Sequence, residues 1–277
     1  MPDYRLGMIR YTNVAPLIHT LHEGTDWQGG ASPTEMNRAL LEERVDLANI
    51  SAIEFIRNAD QLEALPDFSV SVLGPVYSVN VFSKRPWKDL DGASIAVTAQ
   101  SATSVALLQL LLKMEEMCAE LTVVEGPAME LLSSGYDAVL RIGDDALKEW
   151  FACVGPLGDQ DSMGSLQPRA KGVEIIDLSM VWYEKTQLPF VFAVWAHKKG
   201  NRPPETLLHQ LRQARRYGLG HLDEVAHTHA GRLELPACIV QHYLWNFRYH
   251  LELADRQGLF HFARQVDPAH LPLCFSA

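Results

Sequence analysis

The sequence predicts an α/β fold with two doubly wound lobes around a central ligand cleft. Strand-like and helix-like segments alternate at short intervals through the first two thirds of the chain, which is typical of parallel sheets covered by helices. The chain has 277 residues, more than one domain usually holds. Two long crossings, at residues 83–93 and 186–197, indicate that one lobe is inserted into the other. We therefore expect residues 1–85 and 194–277 to form lobe one and residues 86–193 to form lobe two.

The elements of lobe one follow from local signals. Ser32-Pro33-Thr34-Glu35 is a capping box with proline at the first helical position, and it predicts a helix that buries Met36 and Leu40. Apolar or alternating segments bounded by turn residues predict the strands. The predicted strands lie at residues 4–9, 46–50, 70–73 and 78–83, and a second helix begins at Ser51.

Lobe two repeats this alternation. Val105, Leu108 and Leu112 recur at helical spacing after a hydroxyl-rich turn and predict a long helix. A run of β-branched and aromatic residues at 189–196 suits a strand that is buried on both faces or passes between the lobes. The other predicted strands lie at residues 94–97, 121–124 and 137–142, with helices near 128–132, from Gly143, and from Pro204 onward.

Composition excludes several classes of partner. The formal charge is −10 with 24 Lys and Arg residues, which argues against a nucleic-acid-binding protein because such proteins need a concentrated basic surface. A small anion remains a candidate ligand, since a few oriented donors in a cleft can outweigh a diffuse net charge. No apolar run approaches the roughly 20 residues that span a bilayer, and no N-terminal targeting signal is visible. We expect a cytoplasmic protein that does not bind membranes.

The turn at residues 98–104 is the strongest candidate binding element. Its hydroxyl side chains surround the start of a helix, whose first N–H groups lack intrahelical partners and whose dipole is positive there. A carboxylate or phosphate would be stabilised at this position. The competing interpretation is that Ser101 or Thr103 only caps the helix. The hydroxyl-bearing residues are Thr98, Ser101, Thr103 and Ser104.

Other polar residues follow predicted strands, where α/β sheets bind their ligands. Asn13 can both donate and accept hydrogen bonds, so it could recognise a hydroxyl group, although asparagine is also common in ordinary turns. Asp144 could cap its own helix instead of binding a ligand. The remaining candidates at these turns are Ser51, Ser78, Asn80 and Gly143.

No cofactor is indicated. His227 and His229 lack a third ligand at a recognisable spacing, so a zinc site is disfavoured, and the four cysteines form no C-x-x-C pair. Gly218-Leu219-Gly220 lacks the preceding strand and the third glycine of a dinucleotide-binding loop, and no Walker motif is present. The aromatic helix at 241–249 is explained by core packing or by a subunit interface, which leaves a homodimer open.

Several sequence blocks together carry a resemblance to a known family. They are residues 9–16, which contain Tyr11-Thr12-Asn13, residues 46–55, which contain Asn49-Ile50-Ser51, and residues 74–79, 98–104, 142–147 and 188–195. The chain resembles the chorismate dehydratases of the menaquinone pathway over nearly its whole length. The resemblance implies a type II periplasmic-binding-protein fold. It also implies conversion of chorismate to 3-[(1-carboxyvinyl)oxy]benzoate in the futalosine route, without a metal or organic cofactor.

The resemblance also suggests roles for the candidate residues. Chorismate is a dianion, so the turn at Ser101, Ala102 and Thr103 would bind one carboxylate while Ser51 and Ser78 engage the rest of the molecule. Asn13 would orient the ring near its hydroxyl group, which makes Asn13 and Ser78 the catalytic candidates.

The proton acceptor is expected to be the enolpyruvyl carboxylate of the substrate, with Asp144 or Asp145 as the alternative. Two other functions stay open at this stage. One is a non-catalytic cytoplasmic protein that binds or senses a small anion, because fold alone does not fix function. The other is the sister enzyme that acts on cyclic dehypoxanthine futalosine.

Overall fold

The computed structural model describes residues 4–9, 11–21, 27–154 and 172–276. Within these residues, the strands form a mixed sheet of six strands and a second mixed sheet of five. The strands are β1 (Leu6–Ile9), β2 (Trp27–Ala31), β3 (Leu47–Ser51), β4 (Leu62–Val72), β5 (Val79–Ser83), β6 (Ser94–Val97), β7 (Glu120–Val123), β8 (Ala138–Ile142), β9 (Glu174–Asp177), β10 (Phe190–Lys198) and β11 (Phe247–Arg248).

Helices separate most of these strands. They are α1 (Ala15–Ile18), α2 (Pro33–Leu41), α3 (Ala52–Arg57), α4 (Ala102–Met114), α5 (Ala128–Ser133), α6 (Gly143–Cys153), α7 (Leu178–Thr186), α8 (Glu205–Gly220), α9 (Leu222–Leu233), α10 (Ala237–Trp245) and α11 (Leu253–Val266). Short 3-10 turns lie at Thr12–Val14, Trp87–Asp89 and Pro268–His270. No helix in the part of the chain that the structure describes is long and apolar enough to cross a membrane.

In each sheet, the strand that follows the crossing from the other sheet is antiparallel to both of its neighbours. The first sheet has the order β11-β4-β10-β3-β1-β2, and β10 is antiparallel to both β3 and β4. The second has the order β7-β6-β8-β5-β9, and β5 is antiparallel to both β8 and β9. The edge strand β11 is antiparallel to β4, and the β1–β2, β1–β3, β6–β7 and β6–β8 pairs are parallel.

Chain direction explains the antiparallel strands. A chain that leaves the first sheet at the carboxyl end of β4 enters the second sheet at the edge that faces the first. The strand that begins there must run away from that edge. Val79, the first residue of β5, accordingly pairs with Ile142, the last residue of β8. The fully parallel lobes that the sequence alternation indicates are therefore interrupted by β5 and β10, and the edge strand β11 also runs antiparallel to β4.

The structure also differs from the predicted lobe boundary at one strand. Residues 79–83 were expected in lobe one, but β5 pairs with β8 and β9 of the second sheet. The first crossing is therefore the short stretch 73–78, around Gly74-Pro75, and the return crossing is 187–189. Local alternation identifies a strand but does not show which sheet it joins, because sheet membership depends on pairing with distant residues.

Several local predictions are confirmed. Ser32 and Glu35 form the reciprocal capping box that starts α2: Ser32 Oγ accepts the Glu35 N–H at 3.3 Å, and Glu35 Oε2 accepts the Ser32 N–H at 3.0 Å. Seven predicted strands correspond within a few residues to observed strands, which are β1, β3, β5, β6, β7, β8 and β10. The segment after Pro204 is helical as expected, apart from the short strand β11.

An aromatic cluster holds the return crossing in place. The ring of Trp182, on α7, lies 5.4 Å from the ring of Phe190 on β10 and 6.2 Å from that of Phe262 on α11. All three side chains are buried, and Trp182 Nε1 donates to the carbonyl of Pro189 at 3.3 Å. The cluster joins elements on both sides of the crossing, so it fixes where the chain re-enters the first sheet.

Candidate active site

A pocket lies between the two sheets, at the carboxyl ends of β1, β3 and β8 and beside the N-terminus of α4. This is where α/β sheets place their ligands. None of the described side chains that line it is Asp, Glu, Lys, Arg or His. The polar residues among them are Tyr11, Asn13, Asn49, Ser51, Ser78, Ser101, Thr103 and Ser104, and the apolar ones include Ile9, Val70, Val76 and Phe192.

Ser51 is held by a buried asparagine of α2. Asn37 Nδ2 donates to Ser51 Oγ at 2.8 Å, and Asn37 Oδ1 accepts the Ser51 N–H at 3.0 Å. A serine hydroxyl has one proton to donate, and here the protein already uses its oxygen as an acceptor. The Ser51 proton is therefore left for a ligand in the pocket.

Ser78 is held in the same way by a tyrosine from the C-terminal helices. Tyr243 Oη donates to Ser78 Oγ at 2.9 Å, and both groups are buried. Burial raises the pKa of Tyr243 well above its usual value, with the charge of Asp144 as a smaller cause, so the phenol stays protonated and acts as the donor. The Ser78 carbonyl accepts the Gly143 N–H at 2.8 Å, which ties the first crossing to the start of α6.

The hydroxyl-rich turn caps α4 and also faces the pocket. Ser101 Oγ accepts the Ser104 N–H at 3.2 Å and donates to Ser104 Oγ at 2.8 Å. Thr103 Oγ1 accepts the Ile53 N–H from α3 at 3.1 Å. The N–H groups of Ala102 and Thr103 lie in the first turn of a 13-residue helix and have no intrahelical partner. The capping interpretation is thus confirmed for Ser101, and it leaves donors free for an anion.

Four hydroxyl groups of the pocket lining, those of Ser51, Ser78, Thr103 and Ser104, share one property. Each of them accepts a hydrogen bond from the protein, so each has its proton to offer to the pocket. With the amide of Asn13, they form a set of neutral donors beside a helix N-terminus, an arrangement that suits an anion.

Some residues predicted for the site lie outside the pocket lining. Thr98 Oγ1 donates to Glu125 Oε1 at 3.0 Å instead of facing the pocket. Val79, the first residue of β5, lines the pocket, so the next side chain, Asn80, lies on the other face of the strand, where its Nδ2 donates to the Tyr77 carbonyl at 2.6 Å. The methyl group of Ala102 does not line the pocket either.

Asp144 bridges the two sheets and lies outside the pocket lining. Its Oδ1 accepts the Thr12 N–H at 3.0 Å, and its Oδ2 lies 2.8 Å from Arg232 Nη1. Arg232 Nη2 also donates to Thr12 Oγ1 at 2.6 Å. Asp145 is exposed and pairs with Arg141 at 3.5 Å. Both carboxylates are thus occupied away from the pocket.

Gly143 lines the pocket, and an aromatic ring packs directly against it. Its φ is +67°, and a Cβ at this position would lie 3.1 Å from the ring of Tyr11. Tyr11 Oη donates to Gln100 Oε1 at 3.0 Å, and burial raises the pKa of Tyr11 to about 12, with Asp144 as the next cause. Tyr11 follows β1 of the first sheet, and it thereby contacts the turn at residues 98–104 that precedes α4 of the second sheet.

Four residues that build the site were not found from the sequence. Asn49 could have been found, because it lies two residues before Ser51 on a strand and therefore on the same face. Tyr11 lies in the same turn as Asn13, but no signal in the sequence distinguishes its side chain as part of the site. Asn37 and Tyr243 act through contacts with residues distant in the sequence, for which no local pattern exists.

The fold of this chain is shared with solved structures of other proteins. Solved structures with the same fold include a protein from Archaeoglobus fulgidus (TM-score 0.71, 17% identity, 95% of this chain and 96% of that one). Another is the periplasmic aliphatic sulphonate binding protein SsuA from Escherichia coli (TM-score 0.65, 16% identity, 100% and 95%). At such identities the likeness concerns the fold alone, and it defines a two-lobed, periplasmic-binding-protein-like protein.

The family is shown by sequence. The model of a menaquinone biosynthesis family matches residues 4–267. A chorismate dehydratase from Thermus thermophilus is 47% identical over 275 residues, which cover 99% of each chain. The chain belongs to this menaquinone biosynthesis family.

Proposed function

We propose that this chain is a chorismate dehydratase, a hydro-lyase that converts chorismate to 3-[(1-carboxyvinyl)oxy]benzoate and water. The observation that carries the proposal is the pocket of neutral donors with no charged side chain in its described lining. Chorismate carries two carboxylates, and oriented donors can bind a small anion despite the net charge of −10. The Thermus relative that bears this name supports the same substrate.

Two sides of the pocket would hold the dianion. The N-terminus of α4 offers the N–H groups of Ala102 and Thr103 and the hydroxyl of Ser104, which suit one carboxylate. On the side of the first sheet, Ser51 offers its hydroxyl proton to the rest of the molecule. Charge-assisted hydrogen bonds of this kind are stronger than neutral ones, and more so in surroundings of low dielectric.

The reaction removes the C3 proton and the C4 hydroxyl group of the cyclohexadiene ring. The electron pair of the C3–H bond forms the third double bond of the ring as the C4–O bond breaks, and the departing hydroxide takes up a proton to become water. Because the product ring is aromatic, the reaction is strongly downhill. The protein then has to orient the substrate and exclude bulk water.

The residues near the pocket suit a substrate-assisted reaction. The described lining contains no carboxylate or imidazole, and Asp144 is engaged by Thr12 and Arg232. We assign the proton acceptor to the enolpyruvyl carboxylate of chorismate itself. Asn13 would orient the ring, and Ser78, with Tyr243 behind it, would donate to the departing C4 oxygen.

The direct test is to incubate the purified protein with chorismate and to follow absorbance and product mass. The proposal predicts a product lighter than chorismate by one water. Chorismate that binds but is recovered unchanged would favour the non-catalytic binding protein instead. Absence of chorismate binding, with turnover of cyclic dehypoxanthine futalosine, would favour the sister enzyme.

A further inference from the structure

Asn49 is a buried polar residue to which the mechanism above gives no role. It lies on β3, two residues before Ser51, and it lines the pocket. The residue is 1% exposed. No acceptor among the described residues forms a hydrogen bond with its Nδ2.

An unpaired amide donor in this position points to a ligand. A buried N–H group without an acceptor costs free energy, and native proteins pair nearly all such groups. Side chains two residues apart on a strand face the same way, so Asn49 and Ser51 present their donors to the pocket together. Apolar Ile9, Val70 and Ala193 also line the pocket, and a hydrogen bond in such surroundings is stronger than in water.

We propose that the Asn49 amide donates a hydrogen bond to a carboxylate oxygen of the bound substrate. With the Ser51 hydroxyl, whose oxygen already accepts from Asn37, it forms a carboxylate subsite on the first sheet. The subsite belongs to the first sheet and the α4 N-terminus to the second, so the pocket offers a donor group from each sheet, which matches the two carboxylates of a dianion. The assignment rests on the proposed function for the identity of the substrate.

The test separates substrate binding from folding. Asn49→Leu keeps the branched shape of the side chain and removes the amide donor. Because Nδ2 has no described protein partner, we expect the thermal midpoint to change by less than about 3 °C. The KM for chorismate should rise about tenfold or more, as for a lost hydrogen bond to a charged group, while kcat changes by less than about threefold.

Ser179→Ala is the matched control. Ser179 Oγ is also buried and without a described partner, but Ser179 lies on α7 and does not line the pocket. Its removal should leave both the KM and the thermal midpoint unchanged. If Asn49→Leu does not fold, Asn49→Ala takes its place with the same expected rise in KM.

Inhibition by 3-hydroxybenzoate distinguishes the two carboxylates. This molecule has the ring carboxylate and lacks the enolpyruvyl group, so its Ki rises with the KM in Asn49→Leu if Asn49 holds the ring carboxylate. An unchanged Ki with a raised KM assigns Asn49 to the enolpyruvyl carboxylate. An unchanged KM in the folded variants would overturn the inference.

A failure of the Asn49 assignment can be distinguished from a failure of the proposed function. If the wild-type protein does not convert chorismate, the proposed function fails and the assignment of Asn49 is then tested by calorimetric titration of chorismate alone. Equal affinity of wild type and Asn49→Leu in that titration would overturn the Asn49 assignment.

Discussion

Single hydrogen bonds determine what the pocket can bind. Asn37 donates to Ser51, and Tyr243 donates to Ser78. Because each serine oxygen already accepts a hydrogen bond from the protein, each serine hydroxyl acts as a donor toward the pocket. A serine whose oxygen were free could accept from a ligand as readily as donate to it. The partners therefore give the pocket a preference for acceptors, and a carboxylate is the strongest small acceptor.

Replacement of Ser101 separates helix capping from anion binding. Ser101→Asp keeps a good cap and places a negative charge at the α4 N-terminus, so we expect the free energy of unfolding to stay within about 0.5 kcal/mol of wild type. The new carboxylate would occupy the position of the substrate carboxylate, and the KM for chorismate should rise about tenfold or more. Denaturant unfolding and steady-state kinetics measure the two effects.

Ser101→Ala is the companion variant for the cap. It should lose about 1 kcal/mol of stability because the Ser104 N–H loses its acceptor. If Ser101→Asp bound chorismate as tightly as wild type, the α4 turn would be a cap without a role in binding.

Tyr243 is expected to act through Ser78. In Tyr243→Phe the Ser78 hydroxyl loses its donor and can turn away from the pocket, so we expect kcat to fall about tenfold with little change in KM. Tyr249→Phe is the matched control, because Tyr249 is equally buried but its hydroxyl has no described partner. Equal kcat and KM for the two variants would contradict a role of Tyr243 in the reaction.

Many helix starts and strand positions were predictable because their signals are local, whereas β2, β9 and β11 were not predicted. The Ser32 capping box and the Ser101 cap each depend on residues three apart in sequence. Pairing between elements has no such signal. Tyr243 meets Ser78 across 165 residues, and β5 joins the second sheet by pairing with β8 and β9. These contacts are set by the packing of the whole chain.

Close packing of α8 against α1 supports the turn that carries Asn13. A Cβ added at Gly218 would lie 2.0 Å from the Pro16 carbonyl oxygen, so Gly218→Ala forces the two helices apart. We expect a loss of about 1–3 kcal/mol in the free energy of unfolding, measured by denaturant titration. Gly220→Ala, in the same helix with nothing within 4 Å, should change stability by less than about 1 kcal/mol. Equal effects of the two substitutions would contradict this packing.

The two sheets are joined across the pocket by specific contacts. Thr103 accepts from Ile53, Tyr11 donates to Gln100, and Asp144 accepts from Thr12. Each contact links an element of one sheet to an element of the other beside the pocket. Because the same turns carry the candidate substrate donors, the contacts that bring the sheets together also set the distances between those donors.

The assembly of the molecule remains a prediction. Of the aromatic helix, Tyr243 is buried and serves the site, whereas Trp245 is 74% exposed. Core packing therefore accounts for Tyr243, and a subunit contact stays a prediction for the exposed Trp245. Sedimentation or light scattering would test for a homodimer.

Our central claim is that the protein supplies donors while the substrate supplies the base. The measurement that tests it most directly is kcat for Asp144→Asn, Asp145→Asn and the double variant. Asp144→Asn loses the ion pair with Arg232, so its KM can rise, but we predict that kcat falls less than about tenfold in all three. A fall in kcat of about 10²–10⁴, with chorismate binding retained, is the effect of losing a general base and would contradict the claim.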